Sequence, residues 1–479
     1  MLCALARAAG LGYRLRGFRR GRAMAASNDN RSGAGRVARL HAALAESPPL
    51  LWSFLYFFCL LSGYYVLRPV REAMVASSDI SAVFPPALIE FFAARGVALG
   101  EFVPQFVFTA VFLIMLALQP VYGWLVSRFA RRVFLPVIYG FFIATLLVFH
   151  ALFDSGMPGR GLAFVLWLTV FNLFAVAVFW SFMADVYDNV EARRYYGYIG
   201  AAGTVGAFLG PMLTGLLVER LGIANMMLVS CVLLALCVLC ILRLRPYAVL
   251  REQRQGRRSG EVPMGGEVLA GLRLVAREPL LRWLALMVVL GIGCGTLLYN
   301  EQLAIARAAF DDAEQRTAFF SRIDLAVNTV TLVVQLLVTR GLMSRFGIAP
   351  ALLIPGAAVI LGFSVLSASP LPLIVAIVQV MTRAGEFSLA KPARETIYTR
   401  VGREWRYKAG AAIDTVIYRG GDLAFVWVHK GLATFGSNLV FGAGIVLASA
   451  MTFSAWRLLR EEAKLPSERQ PRVDGPGGA

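Results

Sequence analysis

Along this chain, apolar residues arrive in long blocks of about 17 to 25, the length an α-helix needs to cross about 30 Å of hydrocarbon. Six blocks fill the first half: Leu50 to Leu67, Phe102 to Val126, Val133 to Phe153, Leu162 to Met183, Tyr198 to Val218 and Ile223 to Leu242. Six more follow: Trp283 to Tyr299, Phe319 to Val338, Ile348 to Leu366, Leu371 to Ala390, Ala409 to Val428 and Leu439 to Trp456. Each is predicted to be a membrane-spanning helix. The tenth and eleventh are interrupted by charge, the tenth by Arg383 and Glu386 and the eleventh by Asp414, Arg419 and Asp422.

Composition agrees with the pattern. The 479 residues are 58% hydrophobic and only 16% charged, with a mean hydropathy of +0.66, so lipid is the expected solvent. The formal net charge of +18 would suggest nucleic acid in a soluble protein, but its distribution argues otherwise. With the N-terminus placed in the cytoplasm, about 36 of the 47 Lys and Arg fall on that side, most of them before Leu50, between Arg243 and Arg282, and after Trp456, the one-sided placement of the positive-inside rule. The expected partners are therefore the bilayer and a small-molecule solute, not nucleic acid. The expected location is the cell inner (plasma) membrane, multi-pass, with both termini cytoplasmic and the chain monomeric. The expected division is a basic tail (1–48), a six-helix bundle (49–242), a basic linker (243–282), a second six-helix bundle (283–456) and a tail (457–479).

Cys59, Cys231, Cys237, Cys240 and Cys294 fall inside apolar spans and Cys3 in the tail, which fits small buried hydrophobes and not a disulfide scaffold. The stretch Met1 to Arg22 is Arg-rich without acidic residues. Two readings of it stand: a basic tail near anionic lipid, or translation that begins at Met24.

The two halves echo one another. Gly123 to Arg132 follows the second span and Gly341 to Gly347 the eighth, and both contain Ser-Arg-Phe. Glu191, Arg193, Arg194 and Tyr195 after the fourth span have counterparts in Glu404, Arg406 and Tyr407 after the tenth. Two echoes in register with a six-plus-six split point to a duplicated bundle. The loop with Gly123, Arg128, Arg131 and Arg132, repeated in part at Arg345, resembles that of the major facilitator superfamily, with Ser127 where that family usually has Asp. The resemblance implies an all-α integral membrane fold of twelve transmembrane helices in two six-helix bundles. It also makes these residues a conformational loop, in which Gly lets helix ends approach and Arg anchors them at the membrane face.

Charged groups at membrane depth are costly unless paired or facing water, so each is a candidate for function. At the end of the first span, Tyr64 and Tyr65 precede Arg68, Arg71 and Glu72. Arg68 and Arg71 share a helical face, and paired guanidiniums suit a carboxylate or phosphate; snorkelling with an internal salt bridge to Glu72 is the alternative. Asp185 lies near the inner end of the fourth span. Beyond it, Gly197, Gly200, Gly203, Gly206 and Gly210 suit close helix packing. In the eighth span Asp324 either binds a coupling ion or pairs with Arg322. In the tenth and eleventh, Glu386, Asp414, Arg419 and Asp422 are expected to serve binding, coupling or gating; Arg419 and Asp422 are spaced to pair.

Together these segments resemble the nucleotide transporters of the ATP/ADP translocase type. Leu67, Arg68, Arg71 and Glu72 match that family's first-helix motif in type. Phe179, Trp180, Asp185, Glu191, Ala192, Arg193, Arg194 and Tyr196 match its fourth-helix region. Ser388, Leu389, Pro392, Arg394 and Glu395 match its tenth, and Asp414 and Arg419 its eleventh. The resemblance implies binding of an anionic solute, with Arg68, Arg71, Tyr64, Tyr65, Asp185 and Arg419 at the substrate and Glu72, Asp324, Asp414, Asp422 and Glu386 in coupling or gating. Gly421 and Asp422 stand where the translocases carry Gly-Lys-Ser, and Lys391 and Pro69 each replace an Asp. A site built for several phosphate charges gains nothing from turning a cation into a carboxylate.

No Lys in the chain follows a Gly, so there is no Walker A loop for a primary pump. His41, His150 and His429 are isolated, and neither a His-Glu-x-x-His nor a Gly-x-Ser-x-Gly motif occurs. No catalytic residue, metal or cofactor is expected. The expected function is secondary active transport of a small anionic solute by alternating access. Nucleotide exchange is the alternative, and a non-transporting receptor or assembly protein on the same fold is a second.

Overall fold

The structure, a computed structural model, describes residues 48–77, 79–128, 131–187, 189–255, 268–399, 413 and 417–464. All regular structure among them is helical. The long helices are α1 (Pro48–Val75), α2 (Val103–Arg128), α3 (Arg131–Asp154), α4 (Arg160–Val186), α5 (Asn189–Leu221) and α6 (Ile223–Gln255). They continue as α7 (Pro279–Ala309), then α8, which runs Ala313–Val334, a π-helical turn Gln335–Thr339 and a last segment Arg340–Phe346. Next come α9 (Ala349–Ala368), α10 with segments Pro372–Gly385 and Lys391–Thr399 around a π-helical turn Glu386–Ala390, α11 (Tyr418–Ala433) and α12 (Ser437–Glu462). Short helices Ile80–Val83 and Pro86–Ala93 lie between α1 and α2, and Val268–Arg277 precedes α7. Asp79 caps the first of these by accepting from the Ser81 amide at 3.0 Å and the Ser81 hydroxyl at 2.6 Å, and the hydroxyl contact holds its carboxyl below the ordinary range.

Eleven helices among the described residues are long and apolar enough to cross a membrane. The expected eleventh span, 409–428, lies partly outside the described residues, and α11 is what is described of it. Several helices outrun the apolar blocks that predict them. The block ending at Tyr299 is the clearest case, because α7 continues to Ala309. Asn300, Glu301 and Gln302 are all buried there, so the helix proceeds through polar side chains that face protein and not lipid.

The described residues form two compact units. The first comprises residues 1–263 with 300–332 and 371–380, so the end of α7, most of α8 and the start of α10 cluster with α1 to α6. The second comprises 264–299, 333–370 and 381–479. In the first unit α1 is the central element, packed on α5, α6 and α4. Helices in lipid gain little from hydrophobic association and rely on close packing and interhelical hydrogen bonds. Both occur here. A Cβ on Gly206 of α5 would collide with the carbonyl oxygen of Phe58 on α1. The Thr214 hydroxyl of α5 donates to the Val66 carbonyl at 2.8 Å, and the Ser230 hydroxyl of α6 donates to that of Gly63 at 3.1 Å. Such bonds average about 0.6 kcal/mol each in a membrane. Tyr56 and Tyr139, both fully buried, join α1 to α3 through a 2.8 Å hydroxyl contact.

Gly222, at φ +78°, is the single residue between α5 and α6, and that left-handed conformation permits a one-residue reversal. In the second unit Leu284, Leu352, Ala393, Ile397 and Leu458 share one apolar core. The cysteines of the spans are free and buried, as the sequence suggests.

Candidate functional site

Charged side chains gather at the end of α1 in the first unit. Pro69 cannot donate the α-helical hydrogen bond to the preceding turn, which loosens the helix beside Arg68. The Arg68 side chain is 16% exposed; its Nη1 lies 3.4 Å from Asp324 Oδ1 on α8, and its Nε lies 3.9 Å from Glu72 Oε1. Arg71 donates to the same Glu72 oxygen. Glu72 and Asp324 are both buried, at 5% and 3% exposure. Two guanidiniums and two carboxylates therefore meet with no net charge, which is how a protein tolerates four ions at this depth. The aromatic pair predicted beside them is present. Tyr64 and Tyr65 pack edge to face at 5.2 Å, and the Arg68 guanidinium stands 5.6 Å from the Tyr65 ring centre.

The pairing of Asp324 with Arg322 that the spacing suggests is not the one the structure shows. Asp324 pairs with Arg68, while Arg322 pairs with Glu219 at 3.7 Å in an exposed setting. Residue spacing could not distinguish these outcomes, because Arg68 is far away in sequence. Asn328, one turn after Asp324, donates to the Ala207 carbonyl of α5 at 2.6 Å. Close by, Arg307 of α7 donates from Nε to Ala76 O and from Nη2 to Val75 O, both at 3.2 Å, and so caps the last turn of α1. Arg307 lies beyond the expected end of its span, and sequence reasoning treated that region as loop. Helix α8 approaches α5 closely, with Ser321 against Gly215.

A second charged group belongs to the second unit. Glu386 opens the π-helical turn of α10, and Arg394 approaches it at 3.7 Å. Arg419 and Asp422 on α11 are 4.0 Å apart, and the Thr296 hydroxyl of α7 donates to Asp422 at 3.3 Å. Arg394 is 8% exposed. Its signal in the sequence was its place in the tenth-helix motif, without any indication that it is the buried member of the group. Gln335 Nε2 and the Thr339 hydroxyl of α8 donate to the Phe387 and Ser388 carbonyls at 3.1 and 2.8 Å, so the two π-helical turns are hydrogen-bonded to each other.

Other predicted residues stand apart. Asp185 is half-buried near the end of α4, and Arg345 is exposed near the end of α8. Asp414 lies outside the described residues. Gly123 and Arg128 are on α2 and Arg131 and Arg132 on α3, with their side chains outside those described.

The family model for the Major Facilitator Superfamily matches residues 73–424. ADP,ATP carrier protein 1 of Chlamydia trachomatis serovar D is 22% identical over 447 residues, covering 81% of this chain and 82% of that protein. Among solved structures, an auto-inhibited POT family peptide transporter superposes with a TM-score of 0.57 at 12% identity, covering 89% of this chain and 99% of that one. The nucleoside transporter NupG gives 0.51 at 16% identity, covering 86% and 98%. At these identities the structural likenesses establish the fold alone.

Proposed function

The chain belongs to the Major Facilitator Superfamily, and from that premise we propose that it is a secondary active transporter carrying a small anionic solute by alternating access. Its family and fold are those of transporters. The observation that carries the reading is the neutral cluster of Arg68, Arg71, Glu72 and Asp324. Two forked guanidiniums can receive a carboxylate or phosphate when their own carboxylates give way. The Arg68–Asp324 bridge joins a helix of the first sequence half to one of the second. In a twelve-helix, six-plus-six transporter such a tie must break and re-form as the halves rock, so the residues that bind the solute also gate it. On this reading Asp422, Glu386 and Arg419 form the complementary group of the second half. Both termini face the cytoplasm of the inner membrane.

Nucleotide exchange is the second reading, favoured by the similarity to a protein named as an ADP,ATP carrier along four-fifths of this chain. Against it stands Asp422, which is carboxylate chemistry at a place where a polyphosphate site calls for a cation.

Purified protein screened by thermal shift against ADP, ATP, a sugar phosphate, a dicarboxylate and a dipeptide should be stabilised by an anion. Uptake of that anion into proteoliposomes should be abolished by Arg71→Gln while the variant remains folded. Intact uptake in R71Q would sink the anion-site reading, and strong stabilisation by ATP or ADP would favour the second.

A further inference from the structure

The second unit bears a group of arginines and aromatic rings that transport does not use, at the ends of α7 and α12. The short helix Val268–Arg277 leads into α7 and is amphipathic by sequence, with Arg273 and Arg277 one turn apart. Both arginines are exposed, whereas Val275 is buried in the apolar core shared with Leu280, Leu284 and Leu458. This helix is therefore anchored by an apolar side and presents a cationic one. Beside it, Arg457 of α12 stands 5.0 Å from the ring centre of Trp283, and Arg460 stands 3.7 Å from that of Trp456. Phe453 bridges the two indoles, at 6.1 Å from Trp283 and 5.6 Å from Trp456. The buried Nε of Arg457 has no hydrogen-bond partner among the described residues.

The carboxylates nearby in sequence are Glu278, Glu461 and Glu462. Glu461 is engaged by Lys464 at 2.7 Å, and no ion pair within 4.0 Å links any of the three to these arginines among the described residues. The group thus keeps an excess of positive charge at the point where two spans leave the hydrocarbon. Tryptophan at the headgroup level, arginine stacked on it and an amphipathic cationic helix lying beside it are each suited to the bilayer interface. Guanidinium also matches a phosphodiester in geometry and charge.

We propose that Arg273, Arg277, Arg457 and Arg460, with Trp283 and Trp456, form a binding surface for the headgroup of an anionic phospholipid. The occupant is lipid and not free phosphate, because the exposed Phe453 beside the guanidiniums offers apolar surface to acyl chains, for which inorganic phosphate has no use.

Native mass spectrometry of the full-length protein, given equal amounts of dioleoyl phosphatidylglycerol and dioleoyl phosphatidylcholine, tests this directly. The wild type should retain phosphatidylglycerol preferentially. R457Q/R460Q should reduce that preference by about thirtyfold, given about 1 kcal/mol for each arginine near an anionic surface. Should that variant fail to fold, R273Q/R277Q decides the matter, since both residues are exposed. Arg95→Gln, in the segment between α1 and α2, should leave the preference unchanged. Equal retention of the two lipids by the wild type would overturn the proposal. So would an undiminished preference in both double variants, or displacement of phosphatidylglycerol by inorganic phosphate at the same concentration.

Discussion

Asp324 has two roles that one substitution cannot separate. It neutralises Arg68 at 3.4 Å, and it ties α8 to α1. A buried ion pair is weak support for stability as a whole, yet removing one partner strands the other charge and costs about 3 kcal/mol or more. Arg68 retains Glu72 at 3.9 Å, already engaged by Arg71, so Asp324→Ala is expected to lower the unfolding temperature clearly. Arg68→Met combined with Asp324→Ala should destabilise less than the sum of the single changes, because no buried charge is then left without its partner. A double-mutant cycle on thermal unfolding measures the coupling, and simple additivity would show that the two do not interact. The charges themselves were legible in the sequence, because an ion within an apolar block stands out. Their partners were not. Arg322 was the near neighbour of Asp324 by spacing, and the actual partner comes from another helix.

Helices were the most legible elements, since a block long enough to cross a bilayer has few other ways to satisfy its backbone in lipid. Their ends were less so. Apolar length stops α7 at Tyr299, but Asn300 to Gln302 are buried, and the helix carries Arg307 to the end of α1. The π-helical turns were not legible at all. Each accommodates one extra residue in a helix, a change that leaves hydropathy untouched, and only the hydrogen bonds between α8 and α10 reveal that the two belong together. The glycines of α5 illustrate how element packing discriminates within a single pattern. All five looked equivalent as small residues, yet a Cβ on Gly206 would meet the α1 backbone while one on Gly197 has nothing within 4 Å. Gly206→Ala should therefore cost about 1 to 3 kcal/mol through forced separation of α1 and α5. Gly197→Ala should be neutral or slightly stabilising. Thermal unfolding of the two variants checks this, and equal effects would remove close helix contact as the reason for Gly206.

At the scale of the whole molecule, charge balance constrains how a solute can move. The α1 cluster is neutral before anything binds, with two guanidiniums facing two carboxylates. On the proposed reading, an anion that takes Arg68 removes one ion partner from Asp324, which is 3% exposed. Losing an ion partner at that depth raises the cost of its charge. One scheme that follows from the proposed function neutralises Asp324 with a proton that travels with the solute, so that binding of the anion and protonation of Asp324 are one event. Exchange against a second anion would instead restore the cluster without proton movement. The two schemes diverge at Asp324→Asn, which keeps the shape of the side chain and abolishes its charge. In proteoliposomes loaded with a pH-sensitive dye, uptake by the wild type should acidify the lumen in proportion to the solute accumulated. D324N should still bind the anion, since Arg68 then lacks its competitor, but should lose both the acidification and uphill accumulation. If the wild type moves solute without acidification while an internal anion stimulates entry, the cluster serves exchange and Asp324 acts only as a tie between α1 and α8.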